Sequence, residues 1–257
     1  MVPAVQNSGL AWRLIFNIMS SKIKWKISAW LLTSVAVFWF ASMLSSCGKG
    51  ANVSTANLNI KYEVLNLSPD VLPVDIYIRF LKTNSSPFKY SVNQGYFTVP
   101  YTDTPYLIRS DRINGGPALL KRSDILARNT QYSLFITGTV ADNSLTTIFT
   151  VDTATLPKVG RGKIRFVDAS PSGINGLDVY ANGTKAFSQI KYPNFSGFVE
   201  IPIGNYDFQV YATGSSAELS KLSNVQIDDG KLYTLYAYGY TTRSDSAAFS
   251  AAMITNK

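Results

Sequence analysis

Histidine is absent from the 257 residues, and cysteine occurs once, at Cys47. Without His, the usual zinc sites, Cys-His dyads and Ser-His-Asp triads cannot be assembled. Charge is also sparse, at 16% against 46% hydrophobic residues, and that balance excludes a mainly disordered chain. Other absences divide the chain. Tryptophan is missing after Trp39, tyrosine is missing before Tyr62, and residues 1–46 hold no Asp or Glu. Two physical regimes therefore meet near residue 47.

The net charge of +8 is uneven in the same way. Arg13, Lys22, Lys24 and Lys26 precede Cys47, which leaves 20 basic against 16 acidic residues beyond it, a net +4. These charges are interspersed, make no basic stripe, and give no reason to expect nucleic-acid binding.

From Met19 the chain shows a basic stretch, an apolar run over 27–44, and small residues before the Cys, which is the order of a secretory signal. Leu44-Ser45-Ser46-Cys47 resembles a bacterial lipobox: the small neck fits a signal peptidase, and the thiol is the atom that diacylglycerol alkylates. The resemblance implies that residues 1–46 are a lipoprotein signal peptide, with Met19 as an alternative start, and that Cys47 is the lipidated N-terminus. An apolar run of 18 residues also suits an uncleaved membrane helix. Gly48 after the Cys fits an outer-membrane lipoprotein, with the periplasmic or surface face open. Residues 47–56 are small and polar and form a tether of roughly 17 Å root-mean-square span.

The remainder repeats. Ser68-Pro69 recurs as Ser170-Pro171, Val99-Pro100 as Ile201-Pro202, and Tyr132 to Gly138 as Tyr233 to Gly239, at separations of 102, 102 and 101 residues. Asp75-Ile76-Tyr77 recurs as Asp178-Val179-Tyr180. Period-two alternation broken by turn pairs such as Asn182-Gly183 and Asp229-Gly230 reads as strands, with about seven per copy. The expected fold is all-β: two tandem immunoglobulin-like Greek-key β-sandwiches at 57–156 and 163–257, joined by a linker at 157–162. Asp229 four residues before Tyr233 resembles a tyrosine corner, whereas Arg128 holds the acidic position before Tyr132.

Arg165 to Pro171, Leu177 to Tyr180, Ile201 to Tyr206 and Gly230 to Thr234 resemble the bacterial domain of unknown function family 4397. Residues 57–140 resemble it more weakly. The resemblance implies an extracytoplasmic β-sandwich, often in tandem and often in lipoproteins, and implies no activity.

No residues point to catalysis, a metal or a cofactor. Asp228-Asp229 reads as a solvated turn, and the repeated Asp75 and Asp178 read as strand-edge hydrogen-bond acceptors. Asp152-Thr153-Ala154 and Asp245-Ser246-Ala247 resemble an O-glycosylation tripeptide, a pattern that Ser/Thr-rich chains also produce by chance. In the last long strand, alternation turns Tyr236, Tyr238 and Tyr240 away from the core. Such a stripe stacks on sugar rings or anchors a protein. Its alternatives are cross-strand pairing within the sheet, or cover by the other domain. The expectation is a lipid-anchored envelope protein with a non-catalytic role in binding a glycan or protein partner, or a structural one. The alternative is an extracytoplasmic enzyme whose site uses Asp, Tyr or Lys in a cleft between the sandwiches.

Overall fold

The computed structural model describes residues 58–78, 81–99, 106–111 and 118–257. Leu44, Ser45, Ser46 and Cys47 lie outside the described residues. The first copy contributes β1 (Ile60–Asn66), β2 (Val74–Ile78), β3 (Leu81–Lys82), β4 (Phe97–Val99), β5 (Tyr106–Ser110), β6 (Leu120–Arg122), β7 (Gln131–Thr137) and β8 (Thr146–Val151). The second contributes β9 (Arg161–Asp168), β10 (Leu177–Ala181), β11 (Thr184–Ile190), β12 (Asn194–Phe195), β13 (Val199–Pro202), β14 (Gly204–Ala212), β15 (Glu218–Ile227), β16 (Leu232–Tyr238) and β17 (Ser250–Thr255). One 3-10 turn, Pro171–Gly173, is the only helical element among the described residues.

Each copy is a two-layer sandwich, as the alternation requires. Its sheets run β4-β1-β7-β8 and β3-β2-β5-β6 in the first copy, and β12-β9-β16-β17 and β11-β10-β14-β15 in the second, with β13 also on β9. The halves share one plan, with β12 the addition in the second. The opening strand of each copy lies inside its sheet and pairs in parallel with the penultimate strand, β1 with β7 and β9 with β16. Arg161 and Gly162 already pair with Pro202 and Ile201 as the first rungs of β9.

The repeated sequence landmarks are repeated contacts. Ser68 Oγ donates to the Gly138 carbonyl at 2.6 Å, and Ser170 Oγ donates to the Gly239 carbonyl at 2.6 Å. Each Ser-Pro thus ties the end of the opening strand to the end of the penultimate one. Gly138 and Gly239 have φ of 82° and 77°, and a Cβ there would lie 2.3 Å from Ser144 O and 2.4 Å from Ala248 O, so only Gly fits.

The tyrosine corner is present in both copies. The Ala127 N–H donates to the Tyr132 hydroxyl at 2.7 Å, and the Asp228 N–H donates to the Tyr233 hydroxyl at 3.0 Å. The hydroxyl takes its hydrogen bond from the backbone, so Arg128 does not impair the first corner. Asp229 does something else: its Oδ1 accepts from the Gly160 N–H at 2.8 Å and the Arg161 N–H at 3.2 Å, pinning the linker to the second sandwich.

Each sandwich has its own core. Ile60, Tyr62, Val64, Ile76, Ile108 and Leu134 are buried in the first, and Ile164, Phe166, Val179, Phe208, Val210 and Leu235 in the second. Fully burying one such side chain stabilises the fold by about 1.5–3 kcal/mol. A third cluster joins the copies: Leu65, Leu67, Phe135 and Ile148 of the first meet Val167, Ala169, Tyr236 and Ile254 of the second. Strands β1, β7, β9 and β16 are consequently covered on both faces.

This third cluster corrects the exposed tyrosine stripe. Alternation does turn Tyr236 and Tyr238 away from their own core, but the first sandwich covers that face. Tyr236 is 3% exposed, with its ring 5.6 Å from that of Phe135. Tyr238 is partly buried, 6.4 Å from the ring of Tyr90, and Tyr240 is partly buried beyond the strand end. Of the two alternatives set against a binding stripe, cover by the other domain is the one that occurs.

Candidate binding site

Polar side chains gather in the seam between the sandwiches and on the outer face of the second one, as well as around Asp124 in the first, where Tyr106 and Arg122 donate to its carboxylate. In the seam, Asp152 is fully buried and pairs with Arg165, itself 2% exposed. The Asp152 carboxylate also accepts from Thr150 Oγ1 at 2.9 Å, Ser133 Oγ at 2.6 Å and the Tyr96 hydroxyl at 2.7 Å. Arg165 donates to Thr234 Oγ1 and the Val151 carbonyl, and its guanidinium lies 4.8 Å from the Phe198 ring centre. Asn256 completes the network by donating to the Tyr96 hydroxyl at 2.9 Å.

Glu63 sits beside this network, buried, with Oε2 lacking a hydrogen-bond partner among the described residues. Burial, and then the Asp152 charge, push its carboxyl up to about 7. Acids do converge between the sandwiches, where the enzyme reading looks for them. They are sealed there, and their donors are supplied by both copies. Thr153 and Asp152 of the first glycosylation-like tripeptide are engaged as well, Thr153 Oγ1 accepting from the Gln131 N–H at 2.8 Å.

The outer face of the second sandwich is different. The core side chains of β10 and β14 alternate with Asp178, Tyr180, Gln209 and Tyr211 facing away from the core. Antiparallel pairing sets Asp178 opposite Tyr211 and Tyr180 opposite Gln209. The Tyr180 and Tyr211 rings are 5.4 Å apart at 83°, an edge-to-face corner. With Gly183, Gln209, Ser215 and Ser216 they line an open pocket of about 340 Å³.

Polar groups frame that corner. Gln209 Nε2 donates to Glu218 at 2.7 Å, which orients the amide. Lys185 Nζ lies 5.3 Å from the Tyr180 ring centre and 2.7 Å from Asp178. Burial opposes ionisation of Asp178, but Lys185, the Gln189 N–H and the Thr213 hydroxyl together hold its carboxyl below the usual range. Asp178 is thus the strand-edge acceptor that the repeat suggested, and it fixes Lys185 against the tyrosine. Asp75 plays the same part in the first copy, accepting from Lys82 and Asn84, each at 2.8 Å.

The first copy keeps Asp75, Tyr77 and Lys82 but sets Leu107 opposite Tyr77 and Arg109 opposite Asp75. The Arg109 guanidinium lies 5.6 Å from the Tyr77 ring centre, where the second copy presents a second tyrosine. The corner therefore belongs to the second copy alone. Alternation along β10 and β14 turns Tyr180 and Tyr211 away from the core, but their meeting depends on strand pairing that the sequence does not display.

Among the described residues no three His, Cys, Asp or Glu side chains converge in metal-binding geometry, and no helix is long and apolar enough to cross a membrane. The sequence matches the family described as "Domain of unknown function (DUF4397)" twice, over residues 61–175 and 172–257. The chain belongs to this family. Both DUF4397 copies are sandwiches built on one strand plan. No curated protein matches the chain at a significant level.

Proposed function

We propose that this is a lipid-anchored, non-catalytic protein of the cell envelope whose second sandwich binds a glycan at the Tyr180–Tyr211 corner. The observation that carries the reading is the pair of rings meeting at 83° over an open pocket edged by Gln209 and Ser215. A pyranose presents an apolar C–H face and a rim of hydroxyls. One tyrosine takes the face, the second closes the side, and the Gln209 amide and the serines take the hydroxyls. Such a pocket, shallow and preformed, suits recognition and leaves no group poised to act on a bond. The anchor rests on the Leu44 to Cys47 motif, and it would present the pocket at the outer membrane.

The test compares full-length protein with Tyr211→Arg, which imports the arrangement of the first copy. Saturation-transfer NMR against purified envelope oligosaccharides should show sugar signals for the natural chain, with affinity lowered about tenfold or more in the variant, roughly 1.4 kcal/mol. Equal transfer to both would end the glycan reading. Radiolabelled palmitate should attach to the natural protein and not to Cys47→Ser.

A further inference from the structure

At one end of the molecule, exposed apolar residues and unpaired cations lie together. Val159 is 94% exposed, Leu156 59% and Ile203 51%. Leu156 and Val159 lie in the segment between β8 and β9, and the Ile203 N–H donates to the Gly160 carbonyl at 3.1 Å, which places the third beside that segment. The linker turn is held, since Asp229 grips the Gly160 and Arg161 N–H groups and Lys163 Nζ donates to the Thr155 carbonyl at 2.7 Å. A pinned loop that keeps Val159 almost wholly in water loses the hydrophobic stabilisation that burial brings elsewhere in the fold.

Lys158 and Arg161 flank Val159 in sequence, and Lys231 follows a turn whose Gly230 N–H donates to the Arg161 carbonyl at 3.0 Å; all three are exposed, and none has an ion-pair partner among the described residues. Lys231 follows the turn that pins the linker, and the Lys231 carbonyl accepts from Lys163 N–H at 2.9 Å. Glu200, Asp228 and the gripping Asp229 are acids nearby, with Glu200 3.7 Å from Lys163.

The chain enters the first sandwich at this same end. The Leu58 carbonyl accepts from the Asn129 N–H at 2.9 Å, Lys61 N–H donates to the Thr130 carbonyl, and the Gln131 N–H donates to Thr153 at the start of the linker. Eleven positions separate Cys47 from Leu58, at most about 40 Å when extended. Lys61 and Arg128 add exposed positive charge beside that point.

We infer that this end is a membrane-contacting face: Leu156, Val159 and Ile203 dip into the headgroup region while Lys158, Arg161 and Lys231 meet anionic lipid. The inference rests on the lipid-anchor reading for the nearness of a bilayer. It adds a second membrane signal to the acyl chains, and apolar burial combined with basic charge is the combination that binds peripheral proteins to anionic surfaces. The face would also fix how the body stands on the membrane.

The experiment uses the full chain in vesicles of phosphatidylcholine with phosphatidylglycerol, in a Cys47→Ser background where the apolar run over 27–44 serves as the anchor. An environment-sensitive fluorophore is attached at Val159→Cys or, as the reference, at Ser216→Cys in the glycan pocket. Brominated lipid should quench the label at 159 at least about twofold more than that at 216, and the difference should vanish in pure phosphatidylcholine or with Lys158→Glu, Arg161→Glu and Lys231→Glu combined. Equal quenching at both positions in anionic vesicles overturns the inference. So does protection of position 159 in native membranes but not in lipid alone, which would mark a protein partner. Palmitate labelling of the natural protein reads the anchor separately: an acylated Cys47 with a solvent-exposed position 159 sinks only this face.

Discussion

The two sandwiches share strand order, corner tyrosines and Ser-to-Gly ties, yet they differ wherever they face outward. On the outer sheets, Tyr180 and Gln209–Tyr211 of the second copy correspond to Tyr77 and Leu107–Arg109 of the first. One face opens a ring corner, whereas the other is filled by a cation on a ring. On the inner sheets the register aligns Glu63 with Arg165, Ser133 with Thr234 and Asp152 with Asn256. One of these equivalent positions reverses charge, Glu63 against Arg165, and the other two keep a polar group. Two first copies would bring Glu63 and Asp152 against their own kind, with no guanidinium between them. The internal plan of a repeat is held by packing, and its surfaces are free to become complementary.

The comparison breaks most severely at Arg165. Arg165→Ala leaves Asp152 buried without its cation and should cost about 3–5 kcal/mol of unfolding free energy, measured by denaturant titration. Loss within 0.5 kcal/mol of the natural chain, on the order of a surface substitution, would mean that the seam is not held by this pair.

Asp168 gives the next largest effect. It occupies the position of Asn66, which donates to the Phe88 carbonyl at 3.3 Å and accepts from Ser68. Asp168 accepts from Ser170, but its Oδ2 has no hydrogen-bond partner among the described residues, and Gly173 packs against it so closely that a Cβ would not fit. Burial pushes its carboxyl up to about 8, despite the Ser170 N–H. Together with Glu63, raised to about 7, it binds a proton more tightly folded than unfolded. Their contribution is therefore greatest in acid and is lost as pH rises from about 4 towards 8. Asp168→Asn should flatten that slope and raise stability at pH 8 by roughly 1–2 kcal/mol, read as the change in denaturation midpoint between pH 5 and pH 8. A midpoint that rises with pH in the natural chain would contradict the sign.

The smallest expected difference is one of equality. Tyr132→Phe and Tyr233→Phe each remove one acceptor for a backbone N–H and should cost about 1 kcal/mol apiece. If the corner needed its acid, only Tyr233→Phe would matter.

The sequence displays the strands well because alternation, turn pairs and the repeat of near 102 residues all follow from local geometry. It marks Ser68, Gly138 and their counterparts as important without revealing that each Ser donates to a Gly carbonyl. It reads the tyrosine corner as half complete because it gives the neighbouring acid weight that the backbone N–H in fact carries. The tyrosine stripe fails for a different reason: Tyr236 alternates correctly, but period two reports only which residues share a face, not what covers it. The Tyr180–Tyr211 corner joins residues on two strands, and only the pairing register brings them together.

The parallel ladder from Lys61 opposite Gln131 to Asn66 opposite Ile136 acquires a mechanical meaning if the chain is pulled from its tether. A pull at Leu58 along the axis of β1 loads these rungs in shear, all at once, whereas an edge strand would peel bond by bond. Force spectroscopy should find that the opening strand gives way in a single high-force event, so that the first sandwich resists a pull at its N-terminal end as strongly as its innermost strand is held.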